Sequence, residues 1–212
     1  MKNYESLLRV REELAGGEGP WMWIKEDNGA WDGPRTDWEN DHIVNIKKYV
    51  KDFDCVIQAG GNQGMYPLLL AKMFKVVYTF EPDPLNFHCL VNNCQHDSIV
   101  KFNAALAEKN KMIHVNRGSL TNTGTHTVGD GGYCVALSID SIPFDKVDLI
   151  HLDLEGYENN AIRGSLKTIE KFKPVILAER SRNSEIENML SPFGYTYKGQ
   201  SVSDAIFTVD SQ

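Results

Sequence analysis

The chain has 212 residues, of which 42% are hydrophobic, 10% aromatic and 24% charged, a balance that excludes a disordered or fibrous protein and is enough for a sizeable core. Twenty-two Lys and Arg against 29 Asp and Glu leave a net charge of −7, which opposes the counterion release that drives binding to nucleic acid. No apolar run approaches the roughly 18 residues that span a bilayer, and no signal-peptide pattern follows Met1, so the expectation is a single cytoplasmic domain with an extension and neither nucleic-acid nor membrane partner.

Residues 4–14 read as an amphipathic helix ended by Gly16-Gly17, and the Trp-, Gly- and Asp-rich stretch behind it, with Pro20 and Pro34, reads as loop. All four tryptophans (Trp21, Trp23, Trp31, Trp38) precede residue 40. That separates an N-terminal helix and Trp-rich lid, residues 1–40, from a main domain, residues 41–212. A helix over about 37–50 carries Ile43, Val44, Ile46 and Val50 at mostly helical spacing.

From residue 53 strands and helices alternate. A strand at 55–57 runs into Gly60-Gly61, a helix covers 65–73, and a second strand covers 76–80. Asp83-Pro84 is an N-cap and first-turn proline for a helix to about 94. A third strand spans 99–105, and residues 111–115 and 134–139 form further strands around a mobile loop, 116–133, with five glycines and four threonines. A strand at 147–152, a helix over 157–171, a strand at 175–178 and a short helix over 185–190 follow. The runs 195–197 and 205–209 pair as a hairpin. Such alternation gives an α/β fold with a mainly parallel sheet covered on both faces, and ligands bind beyond the carboxyl ends of its strands. The residues to interrogate are therefore 58–64, Glu81, Asn103, 153–156 and Glu179.

Ala59-Gly60-Gly61-Asn62-Gln63-Gly64 joins the first strand to its helix, where small residues let a ligand approach backbone N–H groups. The bare structural alternative is a tight turn. Glu81 ends the second strand, where nucleoside-binding α/β folds place a carboxylate that accepts both ribose hydroxyls. The spacing Ala59-x-Gly61-x-x-Gly64 also fits a relaxed dinucleotide fingerprint, so the loop alone leaves a nicotinamide cofactor open. His88, Cys89, Cys94 and His96 do not share one helical face, and Cys55 and Cys134 have no CxxC partner, so no metal site is expected and the thiols are read as packed.

The ordered set Gln58-Ala59-Gly60-Gly61-Asn62-Gln63-Gly64, Phe80-Glu81-Pro82-Asp83-Pro84 and Asp153-Leu154-Glu155-Gly156-Tyr157-Glu158 resembles the FkbM family of S-adenosyl-L-methionine-dependent methyltransferases. Ser138-Ile139-Asp140 and Lys173-Pro174 match further elements of that family, and the resemblance covers about residues 54–180. It implies a Rossmann-like class I methyltransferase fold, a seven-stranded mainly parallel sheet with an antiparallel C-terminal hairpin. It also implies that Gly60, Gly61, Asn62 and Gly64 line the methionine and ribose part of the cofactor, that Glu81 with Pro82 behind it holds the ribose, that Asn103 and Ala104 lie near the adenine, and that Asp153 sits beside the methyl group. Gln58 stands where the family has Asp, exchanging a charge for an amide at the cationic end of the cofactor.

The implied reaction is O-methylation of a hydroxyl on a small molecule or glycan. A hydroxyl needs a base, and the candidates are Asp153, Glu155, His151 and the loop residue His126. Asp153, Glu155 and His151 are in phase if the strand continues, whereas Glu155 alternatively caps the following helix. Trp21, Trp23 and Trp31 offer a flat wall for a sugar or ring. Two other functions compete. A nicotinamide-dependent oxidoreductase lacks a Tyr-x-x-x-Lys pair here, and a degenerate, non-catalytic nucleoside-binding module is motivated by Gln58.

Overall fold

The computed structural model describes residues 7–11, 20–28, 36–119, 121–179 and 184–210. The first departure from expectation is at the N-terminus. The described residues within 4–14 form no α-helix: β1 (Leu8–Arg11) pairs antiparallel with β2 (Trp21–Ile24). An apolar face at Leu8 and Met22 packs with Ile24 on Leu85 and Cys89, and cross-strand pairing of this kind overrides a short helical pattern, since isolated helices of that length are marginal.

The main body opens with α1 (Thr36–Tyr49), β3 (Cys55–Ala59), α2 (Met65–Ala71), β4 (Val76–Phe80), α3 (Pro84–Asn93) and β5 (Ile99–Phe102). Asp83 caps α3, accepting from the Leu85 and Asn86 N–H groups. After β5 come β6 (Ala104–Leu106), β7 (Lys111–Asn116), β8 (Thr127–Asp130), β9 (Cys134–Leu137) and β10 (Leu149–Leu152). The rest is α4 (Glu158–Arg163), α5 (Leu166–Phe172), β11 (Val175–Glu179), α6 (Ser184–Leu190), β12 (Tyr195–Ser201) and β13 (Asp204–Val209).

Seven strands form the central sheet in the order β12-β13-β11-β10-β3-β4-β5. The five from β11 to β5 run parallel, while β13 is antiparallel to both β11 and β12. Side chains alternate across the sheet. Ile57, Ile150 and Ile176 share one core with Ile162, Ile169 and Leu190 of α4, α5 and α6. Val56, Leu149 and Leu177 share the other with Ile46, Leu70 and Leu90 of α1, α2 and α3. Both faces of this mixed α/β sheet are therefore covered. No helix among the described residues is long and apolar enough to cross a membrane.

Three differences in the second half bear on the site. The expected third strand, 99–105, is two strands in two sheets, because the chain turns at Asn103 and β6 joins a separate four-stranded sheet of order β6-β9-β7-β8. The expected loop 116–133 contains β8, paired antiparallel with β7. The expected helix 157–171 is broken into α4 and α5 at Gly164-Ser165, where a Cβ on Gly164 would lie 2.0 Å from the Ala107 carbonyl oxygen.

Candidate functional site

The carboxyl ends of β3, β4, β10 and β11 open into one cavity of about 300 Å³, within the usual range for small-molecule sites. Its floor is the turn after β3. Gly60 N and Gly61 N both donate to the Phe80 carbonyl, at 3.1 and 3.0 Å, which lays the turn across the end of β4. Gly60 has φ +85°, and a Cβ there would sit 1.9 Å from the Asp153 carbonyl oxygen. Only glycine allows the turn to lie this close to the end of β10. Gly60, Gly61 and Asn62 line the cavity, whereas Gly64, with φ +107°, packs on Cys94 behind it and starts α2.

Glu81 faces this turn from the end of β4 and is almost completely buried. Oε2 accepts the Asn62 N–H at 2.7 Å and Oε1 accepts the Asp83 N–H at 2.8 Å. Each oxygen thus takes one backbone donor and keeps a further lone pair for a ligand. Burial pushes the Glu81 carboxyl up to about 7, against the lowering effect of those two N–H groups. Pro82 lines the cavity beside it.

Gln58 is placed differently. It is fully buried under the turn, its Oε1 accepting from Thr79 Oγ1 at 2.5 Å and its Nε2 donating to the Gly60 carbonyl at 3.0 Å. Both ends of the amide are spent on the scaffold, and Gln58 is not among the cavity-lining residues. Asn103 and Ala104 are also outside the lining. Asn103 Nδ2 donates to the Glu81 and Pro82 carbonyls at 2.8 and 3.2 Å, so it positions the end of β4, and Ala104 is buried in β6.

Asp153 and Glu155 follow β10, and with Glu179 at the end of β11 their carboxylate oxygens lie within 4.8 Å of one another. All three line the cavity. Burial, then the charge of Glu179 and Asp204, raises the Asp153 carboxyl well above its ordinary value, and a hydrogen bond with Glu179 adds to this. Glu155 adopts φ 50°. Glu158 Oε1 braces the loop before α4, accepting from Leu154 N at 2.9 Å and Gly156 N at 3.3 Å. His151 lies below the cavity lining, paired with Asp204 at 2.9 Å and edge-on to the Tyr66 ring, with centroids 4.4 Å apart. The sequence reading brought Asp153 and Glu155 together correctly but gave no weight to Tyr66, which lines the cavity between them and this buried pair.

The roof comes from the segment between β7 and β8. His126 lines the cavity, but its side chain is only 6% exposed: Nδ1 lies 3.3 Å from Asp83 Oδ2 and Nε2 donates to the Ser119 carbonyl at 3.2 Å. Burial lowers the His126 pKa, and the Asp83 and Ser119 partners outweigh it to leave the net value raised. Arg117 grips the same carboxylate with two guanidinium nitrogens. His126 therefore straps the roof to the start of α3, its Nε2 spent on the Ser119 carbonyl and its Nδ1 set against the Asp83 carboxylate. Trp21 lines the cavity, Trp23 instead stacks with Arg11, and Trp31 lies outside the described residues. Asn86 and Thr123, which the sequence gave no reason to single out, are buried in the wall beside Gln63 of the glycine turn.

A sequence profile described as the Methyltransferase FkbM domain matches residues 58–197. No curated protein sequence matches the chain. Among solved structures, a methyltransferase FkbM from Methylobacillus flagellatus KT aligns with TM-score 0.53 and 16% identity over 82% of this chain. The chain spans 56% of that protein's length. A ribosomal protein L11 methylase from Lactobacillus delbrueckii subsp. bulgaricus aligns with TM-score 0.52 and 12% identity, covering 84% of this chain and 81% of that one. At these identities the structural likenesses speak to the fold alone.

Proposed function

The chain belongs to the FkbM methyltransferase domain family, and from that premise we propose that it moves a methyl group from S-adenosyl-L-methionine to a hydroxyl of a small molecule or glycan. The observation that carries the cofactor reading is Glu81. It is a buried carboxylate at a strand end, held by two backbone N–H groups, with a lone pair on each oxygen left for a vicinal diol. Asn62 Oδ1 is a buried acceptor with no partner in the same turn, so the residues present fit a ribose.

Gly60, Gly61 and Asn62 would hold the methionine and ribose part, Glu81 the hydroxyls, and Pro82 the face beside them. When bound, the cofactor supplies an electrophilic methyl group on a sulfonium. What the chain adds is orientation, exclusion of water and a proton acceptor. Asp153 is best suited to the last role, since it faces the cavity from β10 and its neighbours make its carboxylate more basic. Asp153 would take the proton that the acceptor hydroxyl gives up, with the Glu179 carboxyl hydrogen-bonded beside it. Gln58 is a scaffold residue and Asn103 fixes the β4 end, so neither need touch the cofactor. All four cysteines are free, buried thiols, which supports a reducing compartment such as the cytoplasm. The acceptor is neither nucleic acid nor membrane in this reading.

Calorimetric titration of the ligand-free protein with S-adenosylmethionine, S-adenosylhomocysteine and NAD in parallel tests it. Binding of the first two and not the third is expected. Binding of NAD alone, or of none, overturns it.

A further inference from the structure

Tyr66 lines the cavity beside the carboxylates that follow β10, and the contacts assigned so far leave it without a task. It stands in the first turn of α2. Its hydroxyl is turned away from the cavity, sharing a buried hydrogen bond of 3.1 Å with His42 Nε2. The ring packs on two imidazoles, with centroids 5.4 Å away for His42 and 4.4 Å for His151, at interplanar angles of 87° and 70°. Both histidines are buried, and neither lines the cavity. These contacts hold the ring from its buried side. Tyr66 keeps 8% of its surface, and with the hydroxyl engaged behind, what it offers a ligand is ring carbon.

The charge around this ring has one sign. Glu81, Asp153, Glu155 and Glu179 all line the cavity, and none of the described lining residues is a lysine or arginine. The lining histidine, His126, is matched by Asp83. Burial, then the charges of Asp204, Asp153 and Glu179, raises the Tyr66 hydroxyl above its ordinary value, so the ring stays a neutral phenol with its electron-rich face intact. An aromatic ring among carboxylates attracts a cation and opposes an anion. The glycine turn supplies no competing charge. Gln58, at the position where the family sets an Asp toward the cationic end of the cofactor, is neutral and spends both ends of its amide on Thr79 and Gly60.

We propose that Tyr66, braced from behind by His42 and His151, is the residue that seats the cofactor's sulfonium, through attraction between its ring and the positive sulfur. This rests on the methyltransferase reading, in which Glu81 takes the diol and Asp153 the proton. Tyr66 binds and orients the cofactor and moves no proton. Its attraction is lost once the methyl group has left, because the sulfur of S-adenosylhomocysteine is neutral, so the same ring favours the loaded cofactor over the spent one.

The test is calorimetry with S-adenosylmethionine, S-adenosylhomocysteine and sinefungin, which carries an ammonium in place of the sulfonium. Tyr66 is replaced by phenylalanine bearing no, one, two or three ring fluorines, a series that keeps the shape of the ring and drains its face in steps. Affinity for the two cationic ligands should fall with each fluorine, by about tenfold across the series, while S-adenosylhomocysteine stays within about twofold. Tyr66→Phe itself should bind S-adenosylmethionine within about threefold of the unaltered protein, since it keeps the ring. Should the phenylalanine series fail to fold, tyrosine with one or two ring fluorines keeps the bond to His42 and makes the same comparison. A series that leaves S-adenosylmethionine affinity flat, or that weakens S-adenosylhomocysteine in parallel, overturns the proposal. Failure of the unaltered protein to bind any of the three would overturn the methyltransferase reading and the sulfonium seat with it.

Discussion

Replacing Glu81 by alanine isolates the proposed cofactor contact. Each carboxylate oxygen has one backbone donor and one remaining lone pair, so a bound ribose diol makes two charge-assisted hydrogen bonds. At about 1.5–3 kcal/mol each, their loss amounts to roughly 3–6 kcal/mol, or about two to four powers of ten in affinity. The pH dependence sharpens the test. Because burial raises the Glu81 carboxyl to about 7 and diol donors favour its ionised form, binding requires a proton to leave. Affinity for S-adenosylhomocysteine should be flat above about pH 7 and fall about tenfold per unit below it. The ligand-free fold shows the opposite sign. A carboxyl raised from 4.5 in the unfolded chain contributes its full stability below that value and loses it as pH rises through about 7, so the melting shift produced by the ligand should be larger at pH 8 than at pH 6. Calorimetry across pH, paired with thermal melts, reads both. An alanine variant that melts normally and binds within about twofold of the unaltered protein, with the same pH profile, would refute the placement of the diol.

Three further outcomes follow from the site. Asp153→Asn should lower turnover about a hundredfold or more while leaving cofactor affinity nearly unchanged, measured as labelled methyl transfer against calorimetric affinity; equal losses would make Asp153 structural. Gly60→Ala should cost about 2–5 kcal/mol in urea unfolding, since its Cβ would lie 1.9 Å from the Asp153 carbonyl oxygen at φ +85°, and a change under about 1 kcal/mol would mean the turn can move. The His126–Asp83 pair raises the histidine above 6.5. Its stabilisation is therefore fully present below pH 6.5 and fades as pH rises through the raised value, so amide exchange of the roof segment, corrected for intrinsic rate, should accelerate above that value and lose this dependence in His126→Gln.

β3 and β4 were legible because each is a short apolar run followed by a glycine turn or a capped helix, signals that are local. Asp83-Pro84 marks the start of α3 in this way. What escaped depends on partners remote in sequence. Nothing near Leu8 says that Trp21–Ile24 will pair with it, and nothing in 99–105 says that Asn103 will spend its amide on Glu81 and Pro82 and send the next residues to another sheet. The places of Gly60, Asn62 and Glu81 in the cavity were readable, because they follow from strand ends. His126 was legible as a loop residue but not as a strap, since its partner Asp83 lies 43 positions earlier by the sequence numbers. The buried partners of Gln63 and Asn86, Asp27 and Thr123, are likewise remote in sequence.

A single residue, Asn103, separates β5 from β6, and its amide holds the peptide groups of Glu81 and Pro82. The small sheet, whose Val115 and Val128 line the cavity, is thus joined to the central sheet through the same residue whose amide holds the backbone at the end of β4. One asparagine side chain therefore sets how one wall of the cavity stands relative to the strand end that carries Glu81.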